Sequence, residues 1–130
     1  MTPKHVLKST ATARLKDAEV LFNGRRYHGA YYLCGYAIEL ALKAKICKTL
    51  GWSTFPPVKS FDNYRSFITH RLDVLLSFTG QDKKIRTRHM ADWSIIVDWN
   101  PELRYSPIGS ITRKKAQEMI DSAKVIIKAL

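Results

Sequence analysis

Hydrophobic residues dominate the stretch from Arg25 to Lys48 and recur there at the spacing of an α-helix. One face repeats every three or four residues, and tyrosine and aliphatic side chains fill much of the remaining circumference. The repeating face consists of Ala30, Leu33, Ala37, Leu40, Ala41 and Ala44. A helix that is apolar on nearly every side must be enclosed by other helices. The pattern therefore predicts one long central helix, from about Arg26 to Leu50, that stops at Gly51.

Helical spacing also appears in four other segments, and no segment keeps the alternation typical of a strand. With the central helix, the predicted helices are Thr10–Phe22, Arg26–Leu50, His70–Phe78, Asp82–Asp98 and Thr112–Leu130. Ser9 or Thr10 is expected to cap the first helix, and Thr112 the last. The chain is therefore predicted to be all-α, as a bundle of four to five helices.

The sequence also predicts two loops and a packing role for two glycines. Pro56 and Pro57 exclude a helix from a loop over residues 52–64, and a second loop is expected over residues 102–110. Gly29 and Gly35, inside the central helix, each cost about 1 kcal/mol of helix propensity against alanine. We expect both glycines to leave room for the close approach of a neighbouring helix.

The composition limits the class of protein. The 130 residues are 45% hydrophobic and 25% charged, which is typical of one globular domain, residues 1–130. No apolar run approaches the roughly 20 residues of a membrane helix, and the N-terminus lacks the apolar core of a signal peptide. Cys34 and Cys47 lie on one predicted helix and cannot bridge each other, and no Cys or His stands at zinc-ligand spacing. We therefore expect a cytoplasmic protein without a membrane span, a metal or a cofactor.

Positive charge is in large excess. Twenty-two Lys and Arg residues against eleven Asp and Glu give a net charge of +11, which favours a polyanionic partner such as RNA, a nucleotide or an acidic protein. The alternative is a basic surface without a partner. The densest run holds Lys83, Lys84, Arg86, Arg88 and His89. This run predicts either contacts to phosphates or an acidic partner, or else a merely solvated helix face.

Two charged residues lie within the apolar central helix. Glu39 and Lys43 are one turn apart, in the order that stabilises a helix. A buried carboxylate and a buried ammonium are costly unless they pair. We therefore predict a buried structural pair that fixes the register of the helix, with an acid–base pair as the alternative.

Several segments, in this order and spacing, resemble the HEPN family of small all-α domains. The likeness is carried by Ala18–Phe22 with Arg26–Tyr32, by Gly35–Ala44, by Thr69–Leu72, by Arg104 with Tyr105, and by Ala123-Lys124 in the closing helix. Together these segments cover nearly the whole chain. The resemblance implies an up-and-down four-helix bundle with an additional short helix, usually as a homodimer.

The resemblance also implies a function. Many HEPN domains of prokaryotes work beside a minimal nucleotidyltransferase, often as a toxin–antitoxin pair, and others are metal-independent ribonucleases. No transferase motif is visible here, so such a partner would be a separately encoded chain. We therefore expect a protein that binds nucleotide or RNA, or partners such a chain, with Arg104 and Tyr105 joining the basic run as candidate contacts. A metal-independent endoribonuclease toxin and a non-catalytic structural adaptor are the alternatives.

Arg65 and His70 match the Arg-x4-His spacing of the family's ribonucleases. In that chemistry a neutral imidazole takes the proton of the 2′-hydroxyl, and a guanidinium holds the phosphate as charge develops. The family's motif usually lies near the last helices, whereas this match precedes the third, and Leu72 stands where a tyrosine is common. A histidine that anchors the third helix, or pairs with Asp73, is the alternative.

Overall fold

The computed structural model describes residues 2–57 and 65–130. Within these residues the chain forms six α-helices, two short 3₁₀ helices and a pair of two-residue strands. The helices are α1 (Lys4–Asn23), α2 (Tyr27–Leu50), α3 (Leu72–Phe78), α4 (Asp82–Arg88), α5 (Met90–Ile96) and α6 (Arg113–Ala129). The strands are β1 (Thr2–Pro3) and β2 (Thr54–Phe55), and the 3₁₀ helices are Arg65–Phe67 and Pro101–Tyr105. The predicted all-α class is confirmed.

The helices form an up-and-down bundle around α2, as predicted. α1 and α2 make an antiparallel hairpin, and α6 packs on α2 in the same direction as α2. Two contacts fix that direction, because the Lys115 ammonium lies over the Tyr31 ring and the Cys34 thiol donates to the Met119 carbonyl further along. α4 and α5 together form the remaining long segment, and α5 packs on α6. α3 is the additional short helix.

A close approach between α2 and the segment after α5 explains one of the two helix glycines. Trp99 is 1% exposed and lies directly on Gly35, where an added Cβ would be 2.2 Å from two atoms of the indole ring. At Gly29 the added Cβ would meet only the end of the Leu21 side chain, at 3.3 Å. The predicted notch in the central helix is therefore filled by a tryptophan at Gly35.

The start of the first helix was predicted wrongly. α1 begins at Lys4 rather than Thr10, and neither Ser9 nor Thr10 caps it. The Lys4 amide donates to the carbonyl of Ser53, and β1 pairs antiparallel with β2. Because this long-range pairing fixes the first turn, the helix needs no side-chain cap. The expectation of a chain without strands is corrected for the four residues of β1 and β2.

Two further helix boundaries differ from the prediction. The predicted helix 82–98 breaks at His89, whose φ of −132° and ψ of 32° lie outside the helical region. Ile85 lies before the break, on α4, and Trp93 lies after it, on α5, and both side chains are buried. The third helix begins at Leu72, two residues after the predicted start, and the 3₁₀ helix Pro101–Tyr105 overlaps the start of the predicted loop 102–110.

The ends of α2 and α6 match the prediction. Gly51 follows α2 in the left-handed conformation, with a φ of 72°, as glycine at this position commonly does. The Thr112 hydroxyl accepts a hydrogen bond of 3.1 Å from the Lys115 amide at the start of α6. Residues 58–64 of the predicted first loop lie outside the described residues. Across the described ranges, no helix is both long enough and apolar enough to cross a membrane.

Candidate nucleic-acid interface and histidine site

The carboxylate of Glu39 lies at the centre of a three-residue polar cluster in the middle of α2. Glu39 is 1% exposed. One of its oxygens, Oε2, is 3.1 Å from Lys43 Nζ, and the other, Oε1, is 2.8 Å from His70 Nδ1. Each oxygen therefore has its own partner, which is the arrangement that makes a buried charge tolerable. The structure brings together the pair predicted on α2 and a histidine that follows 31 residues later.

The imidazole of His70 is largely exposed. Its side chain is 62% exposed although Nδ1 contacts the buried carboxylate. An ionised carboxylate only accepts hydrogen bonds, so Nδ1 carries the proton that faces Glu39. In the neutral ring Nε2 is then left as an acceptor, which is the tautomer a general base requires.

Of the two alternatives for His70, the anchoring role fits its contacts and the pair with Asp73 does not. Asp73 pairs instead with Arg71, with 2.9 Å between the guanidinium and the carboxylate. The residue before α3 is Arg71, and no side chain caps that helix. His70 anchors the segment before α3 to α2 through Glu39, so the expectation of a pair with Asp73 is corrected.

A cavity of about 470 Å³ opens beside this cluster. Glu39, Lys43 and His70 line it on the polar side. Its other walls include Leu7, Tyr36, Leu40, Phe55 and Ile68. The Lys43 ammonium also lies 5.4 Å from the centroid of the Phe55 ring, a distance at which a cation and an aromatic face attract. The cavity therefore joins a general-base candidate and an ammonium to apolar walls.

Arg65 stands at the start of the 3₁₀ helix Arg65–Phe67 and is exposed. Its carbonyl accepts a hydrogen bond from the Ile68 amide. Its guanidinium forms neither a hydrogen bond nor an ion pair with any residue in the described ranges. The two residues of the Arg-x4-His match are thus near in sequence, but only His70 contacts the Glu39 cluster.

The basic run predicted on the fourth helix is largely exposed. Lys83, Arg86 and Arg88 are exposed on α4, and none pairs with an acidic residue in the part of the chain that the structure describes. Lys84 instead donates to the carbonyl of Ala129, close to the end of α6. Lysines are favourable at a helix C-terminus, so Lys84 has a structural role. His89 is half-buried at the break between α4 and α5.

Two lysines of α2 add to this positive charge. Burial lowers the pKa of Lys45, and the neighbouring ammonium groups of Lys48 and Lys84 lower it further. Lys45 and Lys48 lie on the last turns of α2, and Lys84 is the α4 cation whose charge acts on Lys45. We call Lys83, Lys84, Arg86 and Arg88 with Lys45 and Lys48 the α4 basic surface.

Arg104 and Tyr105 form a small exposed cluster on the 3₁₀ helix Pro101–Tyr105. The guanidinium lies 4.9 Å from the centroid of the Tyr105 ring, and Tyr105 is 76% exposed. The phenol groups of Tyr105 and, less strongly, Tyr32 raise the pKa of Arg104. The guanidinium therefore lies over an exposed aromatic ring, which is a common way to hold an arginine for contact with an anion.

Sequence reasoning missed a second cavity, of about 400 Å³, where α1 passes into α2. Arg25, Arg26 and His28 line it. The signal was present as two adjacent arginines before a helix whose first turn holds no acidic residue. Sequence reasoning interpreted Arg25, Arg26 and His28 as part of the helical stretch at the centre of the chain, and Arg26 and His28 also as carriers of the family resemblance.

The described residues show neither a cysteine with a lowered pKa nor a cluster of possible metal ligands. Burial raises the pKa of the Cys34 thiol to about 12, and burial also raises the pKa of Cys47. Both thiols are thus kept protonated, unlike reactive cysteines, whose pKa is lowered. Among residues 2–57 and 65–130, no three His, Cys, Asp or Glu side chains come together as metal ligands.

The model of the HEPN domain matches residues 5–130, nearly the whole chain. No curated protein and no solved structure matches.

Proposed function

The chain belongs to the HEPN family, and on that premise we propose that it binds RNA through phosphate contacts along the α4 basic surface. Membership of the family supports a nucleotide- or RNA-related function in general. The observation that carries the finer proposal is the set of three exposed cations on α4, Lys83, Arg86 and Arg88, which have no acidic partner in the described part of the chain. Exposed cations that no carboxylate neutralises attract the charge of a phosphate backbone.

Electrostatic repulsion adds a second reason. Burial lowers the pKa of Lys45, and the ammonium groups of Lys48 and Lys84 lower it further by repulsion. A bound phosphate relieves the repulsion as well as adding its own attraction. Phosphate contacts of this kind confer affinity with little sequence preference.

The test is the salt dependence of RNA affinity. We expect the wild-type protein to bind a short single-stranded RNA with an affinity that falls steeply between about 50 and 200 mM salt. The triple variant Lys83→Gln, Arg86→Gln, Arg88→Gln removes three cations. It should bind more weakly, and the slope of log affinity against log salt should decrease by about 2.

A charge-matched variant on α1 serves as the control. Lys4, Lys8 and Lys16 are exposed and have no ion-pair partner in the described ranges. Their replacement by Gln removes the same charge and should change affinity and slope much less. Equal losses in both triple variants would show non-specific attraction by net charge, and a flat salt response would refute phosphate binding.

A second candidate function, a metal-independent endoribonuclease, is favoured by the contact of 2.8 Å between His70 and Glu39. Glu39 holds the imidazole in the tautomer whose Nε2 accepts a proton. In the proposed step Nε2 removes the proton of an RNA 2′-hydroxyl, and the 2′-oxygen attacks the adjacent phosphorus. The bond from phosphorus to the 5′-oxygen breaks, and that oxygen takes a proton from water, which leaves a 2′,3′-cyclic phosphate and a 5′-hydroxyl. The hydroxide formed from that water takes the proton back from Nε2, which restores the neutral imidazole. Arg65 would stabilise the charge that develops on the phosphate.

Cleavage of RNA in the presence of a metal chelator tests this second function. His70→Ala should lower the rate by about 10²- to 10⁴-fold, the usual contribution of a general base. Arg65→Ala should also lower it. His5→Ala is the matched control, because His5 is an exposed histidine of α1 and should leave the rate unchanged. Cleavage that persists in His70→Ala would eliminate this function while leaving RNA binding untouched.

The homodimer and the separately encoded nucleotidyltransferase partner stay predictions that rest on the family. They are tested by the mass of the protein in solution and by co-purification with the product of the adjacent reading frame. Recovery of a protein partner without RNA would instead favour the structural adaptor.

A further inference from the structure

One cation in the cavity beside Glu39 has so far been given only a structural role. Lys43 lies on α2 one turn after Glu39, and its side chain is 15% exposed. Lys43 and His70 line the same cavity of about 470 Å³, and Arg65 is not among the described residues that form its walls. The Lys43 ammonium and the His70 imidazole contact the two oxygens of one carboxylate, that of Glu39. The cavity therefore places a cation close to the candidate general base.

The Lys43 ammonium has more hydrogen-bond donors than the protein uses. An ammonium carries three N–H donors. One of them contacts Glu39 Oε2 at 3.1 Å, and no other oxygen or nitrogen atom of residues 2–57 and 65–130 accepts a hydrogen bond from Nζ. The remaining donors belong to a side chain that lines the cavity. They are therefore available to an oxygen atom of a bound substrate.

Two contacts fix the position of this ammonium before any substrate binds. Glu39 is 1% exposed, so its carboxylate is a buried and well-ordered partner for Lys43 Nζ. The Phe55 ring, which also lines the cavity, lies 5.4 Å from the same atom. A cation that is already in place needs less ordering during the reaction than an exposed side chain does. Lys43 is in this respect better prepared than Arg65, which is exposed.

The charge of the cluster changes in the direction that the reaction requires. With a neutral imidazole, His70 lies beside one carboxylate and one ammonium, whose charges cancel. When His70 Nε2 takes the proton of the 2′-hydroxyl, the cluster gains a positive charge while negative charge develops on the phosphate. Donors that are fixed where charge develops stabilise the transition state more than the substrate. The free donors of Lys43 therefore suit a role in this step.

We propose that Lys43 is a further catalytic residue of the ribonuclease reaction. Its ammonium donates a hydrogen bond to a non-bridging oxygen of the scissile phosphate while His70 removes the 2′-proton. Lys43 stays protonated throughout, so the proton balance of the reaction is unchanged. This role adds to that of Arg65, and it rests on the second candidate function, metal-independent cleavage of RNA.

The test is the cleavage of RNA in which sulfur replaces one non-bridging oxygen of the scissile phosphate, in either stereochemical form. Sulfur is a weak hydrogen-bond acceptor, so the wild-type protein should cleave one of the two forms more slowly than the other. Lys43→Gln should lower the single-turnover rate on unmodified RNA by about 10²- to 10³-fold, as the loss of one transition-state donor does. The difference between the two sulfur forms should shrink in this variant, because the contact that distinguishes them is gone.

A second pair of variants separates this role from the pairing with Glu39. Glu39→Gln removes the charge of the carboxylate and keeps the ammonium. If Lys43 served only to balance Glu39, adding Lys43→Gln in that background would have no further effect. We expect it to lower the rate again and to reduce the difference between the sulfur forms. Lys43→Arg keeps the positive charge and should retain more activity than Lys43→Gln.

Lys124→Gln is the matched control, because Lys124 is also an ion-paired lysine, 3.2 Å from Glu19, and does not line the cavity. It should leave the rate unchanged. Thermal unfolding followed by circular dichroism identifies variants that do not fold, and if Lys43→Gln is one of them, the comparison in the Glu39→Gln background decides.

The assignment of Lys43 is overturned if Lys43→Gln cleaves as fast as the wild-type protein, or if it slows unmodified RNA and both sulfur forms by the same factor. Either result, with cleavage that still depends on His70, would leave the ribonuclease function standing. A wild-type protein that does not cleave RNA in the presence of a chelator would refute both together. RNA binding along the α4 basic surface is independent of these outcomes.

Discussion

Glu39 illustrates how far single residues could be interpreted without a structure. The spacing of Glu39 and Lys43 within an apolar helix predicted that they pair, and the two groups lie 3.1 Å apart. The contact with His70 was not predictable in this way, because it joins residues far apart in sequence across an irregular segment. A buried carboxylate has two oxygens to satisfy, so the sequence signalled that a second partner was needed but not which residue provides it.

Gly35 lies one turn before Glu39 on α2. Its replacement by alanine gives the clearest prediction about the stability of the fold. Gly35→Ala places a Cβ 2.2 Å from the ring of a buried, rigid indole, so Trp99 must move. Overpacking of this kind costs about 1–3 kcal/mol of unfolding free energy. Urea denaturation followed by circular dichroism measures the change.

Gly29→Ala is the matched control for that measurement. Its added Cβ would meet only Leu21 Cδ1, at 3.3 Å, at the end of a partly exposed side chain that can turn aside. Alanine gains up to about 1 kcal/mol of helix propensity over glycine, so this variant should be neutral or slightly more stable. Equal stability of the two variants would contradict the packing of Trp99 on Gly35.

At the scale of helices and strands, the long periodic segments were predictable and their ends were not. The bounds of α2 and α6 follow from strong apolar periodicity, a C-terminal glycine and a threonine cap. α1 gains an extra six residues at its start because β1 pairs with β2, which is a long-range contact that no local pattern reveals. The break at His89 is one residue wide, so the apolar spacing on either side still resembled one helix.

Some parts of the candidate site were likewise predictable from the sequence, and others were not. The cationic run of α4 was visible because charge can be counted along a sequence. The structural role of Lys84 at the end of α6 was not visible, nor was the cavity beside Arg25 and Arg26. Both depend on which helix ends meet, and therefore on tertiary packing.

Across the whole molecule, the net charge is +11, and part of this excess lies near the two ends of α2. Lys45 and Lys48 lie on the last turns of α2, and Arg25 and Arg26 directly precede its first turn. Other cations pair with acidic residues, as Lys124 does with Glu19 and Arg14 with Asp17. Cations that keep no acidic partner attract anions.

The most direct test of RNA binding at α4 is a nuclear magnetic resonance titration of the isotope-labelled protein with a short single-stranded RNA. We predict that backbone amide signals of residues 82–88 and 45–50 shift on binding, and that these shifts fade as salt rises. Shifts confined to the exposed face of α1, or no shifts at low salt, would contradict RNA binding at α4.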